Sequence, residues 1–297
     1  MVHKTLLAIG ETMAMVAPET AESVATATRF RLDAGGAESN VAAHVVALGH
    51  RAAWYSRLGA DALGDRLLAQ LAGRGVDTAR VVRDGAHPTG LYVKDPGRGV
   101  AYYRAGSAAS HLSPADADDL SFQGVDLVHV SGITAAISAS AAAFLTRVID
   151  RAEDAGVPVS FDVNHRSALW SAEAAAPALA ALARRADVLF TGRDEAEGLW
   201  GVQRDDDIRE LFRDVPELVV KDGDVGATSY IGARRVFEPA LRVDVVEAVG
   251  AGDAFAGGYL AARLSAEEPD ERLRAGHRRA ALTLRTTGDF VEEGTRP

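Results

Sequence analysis

Short apolar runs alternate with longer stretches of helical periodicity along this chain, and that alternation predicts an α/β fold with a mainly parallel sheet wrapped by helices. Length and composition agree. With 297 residues, 47% of them apolar and 25% charged, the chain can bury the core of one large α/β domain, with or without a small appendage. Two stretches depart from the alternation. Thr12 to Leu32 and Gly90 to Arg104 read as extended segments, with a turn at Asp95-Pro96-Gly97 and no helix inside them.

Strand signals come in order at Thr5 to Ile9, Asp126 to Val130, Val157 to Phe161, Asp187 to Phe190 and Leu218 to Lys221. Helical patterns follow most of them, for instance Ser138 to Ala155 and Ala172 to Arg185. The alanine-rich stretch from Ala174 to Ala186 keeps leucines at helical spacing, which makes it an amphipathic helix and not a low-complexity linker. A further helix is expected from Val41 to Leu48; Gly35-Gly36 and Asn40 before it would let a ligand approach closely, and a glycine turn with Ser39 or Asn40 as helix cap is the alternative. Repeats are absent.

Composition narrows the function classes. No apolar run is long enough to span a bilayer. The opening MVHKTLLAIGE reads as a strand entering a turn, not as an export signal, so the cytoplasm is the expected location. The absence of cysteine excludes disulfides and thiolate metal sites. A net charge of −10 argues against nonspecific nucleic-acid binding, and an enzyme with this balance that acts on anions must concentrate its positive charge locally. Histidines at 44, 129, 165 and 277 lack the paired spacing of a zinc helix, so packing is expected of each.

The run from Val249 to Gly258, VGAGDAFAGG, carries the most chemistry. Gly250 and Gly252 flank Ala251 and allow a tight turn with open amides, and the apolar stretch after them reads as a helix. Amides at a helix N-terminus form an anion site. Asp253 stands at its mouth, where a carboxylate can take a proton from a hydroxyl as phosphate arrives. An aspartate capping an ordinary helix after a glycine turn would produce the same run.

Two more segments decide between those readings. GGAESNVAAHVVALG from Gly35 to Gly49 and RLGADALGDRLLAQLAGRGVD from Arg57 to Asp77 stand in order before VGAGDAFAGG, and the three together resemble the ribokinase-like (pfkB) family of sugar kinases. The resemblance runs from Leu6 to about Gly288. It implies a single ribokinase-like kinase domain over residues 1–297, a three-layer sandwich in which about 12–32 and 90–104 form a small β-sheet lid. Members of this family commonly pair lid to lid, and open-edged strands invite such pairing, so a homodimer or an assembly of dimers is expected.

The same resemblance implies ATP and magnesium as cofactors. Gly250, Ala251 and Gly252 would hold the transferring phosphate, with Asp253 as base. The glycine-containing turn Lys221 to Ala227 would flank the nucleotide through Lys221, Gly223 and Gly226, although an Asp-Gly hairpin needs no ligand to explain it. His277 would edge the adenine. Relatives usually carry Asn-x-x-Glu where this chain has Gly192-Arg193-Asp194-Glu195, so Glu195 is left as an indirect support of the metal, or as an acid stabilising a helix start. Glu247-Ala248-Val249 replaces the usual Asp-Thr-Thr, which makes a monovalent cation doubtful.

Substrate choice turns on three segments: Gly90-Leu91-Tyr92, the YYRAGSAAS run from Tyr102, and the DVNHRSALW run from Asp162. Together these look like the 2-keto-3-deoxygluconate kinase branch, which implies phosphorylation of that sugar acid at its 6-hydroxyl. Gly35, Gly36, Asn40, Tyr92, Tyr102, Arg104, Ile133 and Arg166 would line the sugar pocket with Asp253. A guanidinium suits a planar carboxylate, so Arg104 and Arg166 are the candidate grips. Fructose, ribose or a related keto-deoxy acid is the alternative substrate, and a non-catalytic sugar-binding regulator is the alternative of another class.

Overall fold

The computed structural model describes residues 3–20, 22–286, 288 and 290. From the N-terminus run β1 (Thr5–Ile9), β2 (Met13–Pro18), β3 (Phe30–Gly35), α1 (Ala37–Ala47), β4 (Arg51–Tyr55), β5 (Arg57–Gly59), α2 (Ala62–Gly73), β6 (Val82–Asp84), β7 (Leu91–Asp95) and β8 (Gly99–Tyr103). The middle holds α3 (Pro114–Asp118), β9 (Leu127–Ser131), α4 (Gly132–Ile137), α5 (Ala139–Asp154), β10 (Val159–Asp162), α6 (Ala172–Ala183), β11 (Val188–Gly192) and α7 (Arg193–Trp200). Last come α8 (Asp205–Leu211), β12 (Glu217–Asp222), β13 (Gly226–Ile231), β14 (Arg234–Pro239), α9 (Ala251–Leu264) and α10 (Pro269–Thr283).

Eight strands form the central sheet in the order β14-β13-β12-β11-β10-β9-β1-β4. Pairing is parallel from β12 to β4, and β13 and β14 add an antiparallel hairpin at one edge. Alternate residues of each strand serve opposite faces. Leu7, Ile9, Val128, Phe161 and Leu189 pack with α5 and α6 side chains such as Phe144 and Leu179. Leu6, Ala8, Leu127, Val188 and Phe190 pack with Val41 and Val45 of α1 and with Phe255 and Tyr259 of α9. Burial on both faces is why these strands read as unbroken apolar runs. The result is three layers, helix on sheet on helix, as expected.

The two departing stretches form a separate small sheet, β3-β2-β7-β8. Its pairing is antiparallel except between β2 and β7. The sequence expectations needed adjustment mainly at element ends. Helix α1 starts at Ala37, not Val41, because extended Gly36 is its N-cap and contributes no side-chain cap. Ser39 and Asn40 therefore lie inside the helix instead of capping it. Helix α6 stops at Ala183, short of Arg185.

Candidate active site

Parallel strands carry their C-terminal ends to one edge of the sheet, and in open α/β folds ligands bind in the crevice outside those ends. Gly10 and Glu11 follow β1, and Ser131, Asp162, Gly192 and Lys221 stand at or near the ends of β9, β10, β11 and β12. The N-terminus of α9 opens on the same crevice. Gly250 takes the left-handed conformation (φ 84°) that turns the chain into this helix, which only glycine adopts without strain. Ala251 donates its amide to the Ala248 carbonyl at 3.3 Å, which leaves Gly250 and Gly252 as the candidates for the expected anion hole. A Cβ on Gly252 would meet only Lys221 Nζ, at 3.8 Å. The hole is open space with an ammonium on its flank.

Asp253 sits in the first turn of α9, 9% exposed. Asn40 Nδ2 donates to its Oδ2 at 3.0 Å, which ties the helix α1 segment to the proposed base. Gly257 and Gly258 serve packing: a Cβ at either would strike His44 of α1 or the Ala275 carbonyl of α10. Close helix crossings thus hold Asp253 in place.

Behind the hole, Lys221 Nζ donates to both oxygens of Asp162, at 2.8 and 3.1 Å. Burial works against its charge, but Asp162 and Glu195 more than offset that and raise its pKa above the lysine range. Glu195 accepts from the Gly192 amide at 2.7 Å and the His165 amide at 2.9 Å, so it does start α7. It also shares the field of Lys221 and Asp162, and burial raises its pKa. Lys221 stands near the end of β12, and it is tied to Asp162 there with its ammonium 3.8 Å from a Cβ placed on Gly252. Asp162 is a member that sequence reasoning missed, although a carboxylate closing a buried strand was the available signal.

Of the residues expected to line the sugar pocket, Tyr92 and Tyr102 are direct partners across β7 and β8, with ring centroids 5.8 Å apart. A side chain on Gly35 would overlap the Tyr92 hydroxyl, and one on Gly36 would stand 2.5 Å from the Glu11 carbonyl. Both glycines thus admit neighbouring protein groups. Arg104 lies with its guanidinium 5.9 Å from the Tyr102 ring and forms an ion pair with Glu11. Of the two candidate grips, Arg104 thus has its charge balanced by Glu11. Arg166 is exposed on the loop after β10 and makes no ion pair among the described residues. Ile133 lies in the first turn of α4, where its amide donates to Ser131 Oγ at 3.2 Å.

Glu38 is the second missed residue. It is 1% exposed and accepts from Ser131 Oγ at 2.6 Å. Burial pushes its pKa up to about 7 against that hydrogen bond, and the charges of Asp253 and Arg104 both reach it. Its place inside GGAESN gave no warning, since a glutamate there reads as a first-turn acid of an ordinary helix.

The residues expected to flank the nucleotide separate. Gly223 and Gly226 occupy the β12–β13 hairpin with positive φ. His277 is buried instead of open to the crevice: its Nε2 lies 3.0 Å from the Glu238 carbonyl and its ring stands edge-on to Phe255. It ties α10 to β14. His44 and His129 are buried as packing groups, as expected. No group of three or more metal-ligating side chains occurs among the described residues, and none of their helices is long and apolar enough to cross a membrane.

Comparison with known proteins fits this arrangement. Residues 3–291 match the pfkB family of carbohydrate kinases. A 2-dehydro-3-deoxygluconokinase from Bacillus subtilis is 36% identical over 95% of this chain and 90% of its own length. A 2-dehydro-3-deoxygalactonokinase from Haloferax volcanii is 33% identical over 96% and 92%. Plant fructokinases are also relatives. The crystal structure of a 2-dehydro-3-deoxygluconokinase from Thermotoga maritima shares the fold, with a TM-score of 0.89 at 24% identity over 97% of this chain and 96% of that one. The chain belongs to the pfkB family of carbohydrate kinases, phosphotransferases that use an alcohol group as acceptor.

Proposed function

We propose that the protein transfers the γ-phosphoryl group of ATP to the 6-hydroxyl of 2-keto-3-deoxygluconate, giving 2-keto-3-deoxy-6-phosphogluconate and ADP. The observation that carries this reading is the position of Asp253, a carboxylate beside an anion hole that has an ammonium on its flank. Asp253 takes the hydroxyl proton as the substrate oxygen attacks the γ-phosphorus and the bond to the β-phosphate breaks. The Gly250–Gly252 turn and Lys221 stabilise the charge on the transferring group. Gly223 and Gly226 flank the nucleotide.

Magnesium fits this site without a dedicated cage. Both oxygens of Asp162 are engaged by Lys221, and both of Glu195 by backbone amides, so these carboxylates suit support through water of an ion bound mainly by phosphates. When bound, magnesium neutralises the β and γ oxygens.

The small sheet acts as the lid of a single kinase domain, with Tyr92 and Tyr102 as flat walls for the sugar. Arg166, and Arg104 through its remaining donors, grip the carboxylate. The names of the relatives and these arginines favour a sugar acid over fructose or ribose. Two copies pair lid to lid: Phe30, Leu32 and Tyr103 fall on one face of the small sheet by register, and all three are exposed.

An ADP-release panel of 2-keto-3-deoxygluconate, its galacto epimer, fructose and ribose tests the substrate. The acids are expected to show the higher kcat/KM. A neutral sugar in first place would overturn the assignment and leave the kinase in place.

A further inference from the structure

The small sheet joins the body at four chain crossings: Gly10 to Thr12 between β1 and β2, Gly36 between β3 and α1, Gly90 before β7, and Arg104 to Ser107 after β8. One residue touches the other three. Glu11, its side chain 1% exposed, accepts a hydrogen bond from Ser107 Oγ at 2.6 Å on Oε1 and pairs with Arg104 Nη2 on Oε2. A Cβ on Gly90 would stand 2.8 Å from Oε1, so glycine there leaves room for the carboxylate. Gly36 does the same for the Glu11 backbone. Thr12, next in the chain, donates to Ser39 of α1 at 2.7 Å.

Arg104 gains a fixed position from this arrangement. Its side chain is 9% exposed and lies against Tyr102, and its Nε is buried with no hydrogen-bond partner. A free arginine side chain loses much rotamer entropy when it grips a ligand, and an anchored one has lost it already. Burying two charges also carries a desolvation cost that their attraction must first offset, so a pair here is weak as a device for stability alone.

We propose that Glu11 is a positioning residue for sugar binding: it holds Arg104, one of the expected sugar-pocket residues, where the small sheet meets the body. The identity of the sugar rests on the reading above, but the dependence of Arg104 on Glu11 does not.

The test is a double-mutant cycle on the sugar KM. Glu11→Gln keeps an acceptor for Ser107 and removes the charge that anchors Arg104. It is expected to raise KM for 2-keto-3-deoxygluconate about tenfold or more, with kcat within about threefold and KM for ATP unchanged. In an Arg104→Gln background the same substitution is expected to add less than about twofold, because the residue it acts through is gone. Glu11→Asp retains the charge and is expected to fall between wild type and Glu11→Gln; it also serves if Glu11→Gln does not fold. A full effect of either Glu11 variant in the Arg104→Gln background, or a wild-type KM in Glu11→Gln, would overturn the proposal. If the wild-type protein prefers a neutral sugar, the substrate reading fails, and the cycle is read on that sugar with the same criteria.

Discussion

Asn40 holds one oxygen of Asp253 at 3.0 Å, so the proposed base is already oriented before substrate binds. Asp253→Asn keeps the shape and removes the proton acceptor. A positioned general base contributes about 10²–10⁴-fold, so kcat should fall by that factor while calorimetric ATP affinity changes little. Turnover above about a tenth of wild type would remove Asp253 from the role. Arg166 presents a different case, since it is exposed and makes no ion pair among the described residues. If it grips the carboxylate, Arg166→Ala loses a charge-assisted contact of about 1.5–3 kcal/mol, or roughly ten- to a hundredfold in KM for the acid. KM for ATP should hold. An unchanged KM for the acid would mean that the carboxylate is bound elsewhere.

Elements of the central layer were legible because their physics is local. Strands such as Thr5–Ile9 are buried on both faces and announce themselves as apolar runs, while α5 carries its own cap in Ser138. The small sheet was legible only as an absence of helix, since pairing β2 in parallel with β7 depends on chain segments more than 70 residues apart. The site divides the same way. Asp253 and its glycines stand in one local run, whereas Glu11, Glu38 and Asp162 gain meaning only from residues that the fold brings to them. Gly35 shows how a signature glycine can serve protein packing: it makes room for the Tyr92 hydroxyl. Gly35→Ala should push that ring aside, raise the sugar KM, and destabilise the fold by about 1–3 kcal/mol. Steady-state kinetics and urea unfolding measure both; wild-type values in each would separate Tyr92 from the sugar.

Two consequences belong to the molecule as a whole. Lid-to-lid pairing would cover Phe30, Leu32 and Tyr103 together, so light scattering at micromolar concentration should give a dimer or larger, and Tyr103→Glu should shift it toward monomer. A wild-type monomer would end that expectation. Stability against pH draws on groups spread through both core layers. His44 and His129 are buried and their pKa values are lowered to about 3 and about 4, so their contribution is present above 6.5 and is lost as pH falls. Glu38 has the opposite sign. Its folded pKa of about 7 lies above the unfolded 4.5, so the unfolded chain ionises first as pH rises, and stability fully present below 4.5 is lost toward 7. Asp253 adds to the rise, Arg104 and Ser131 oppose it, and the Thr134 hydroxyl also faces the carboxyl at 3.4 Å. Glu38→Gln keeps the acceptor for Ser131 and removes the titration. At about 1.4 kcal/mol per pH unit, wild-type stability relative to the variant should fall by about 3 kcal/mol between pH 4.5 and 7 and then level off. Urea unfolding of both proteins at several pH values gives that difference directly, with contributions common to both cancelling. A flat difference would mean that Glu38 enters the folded site already charged.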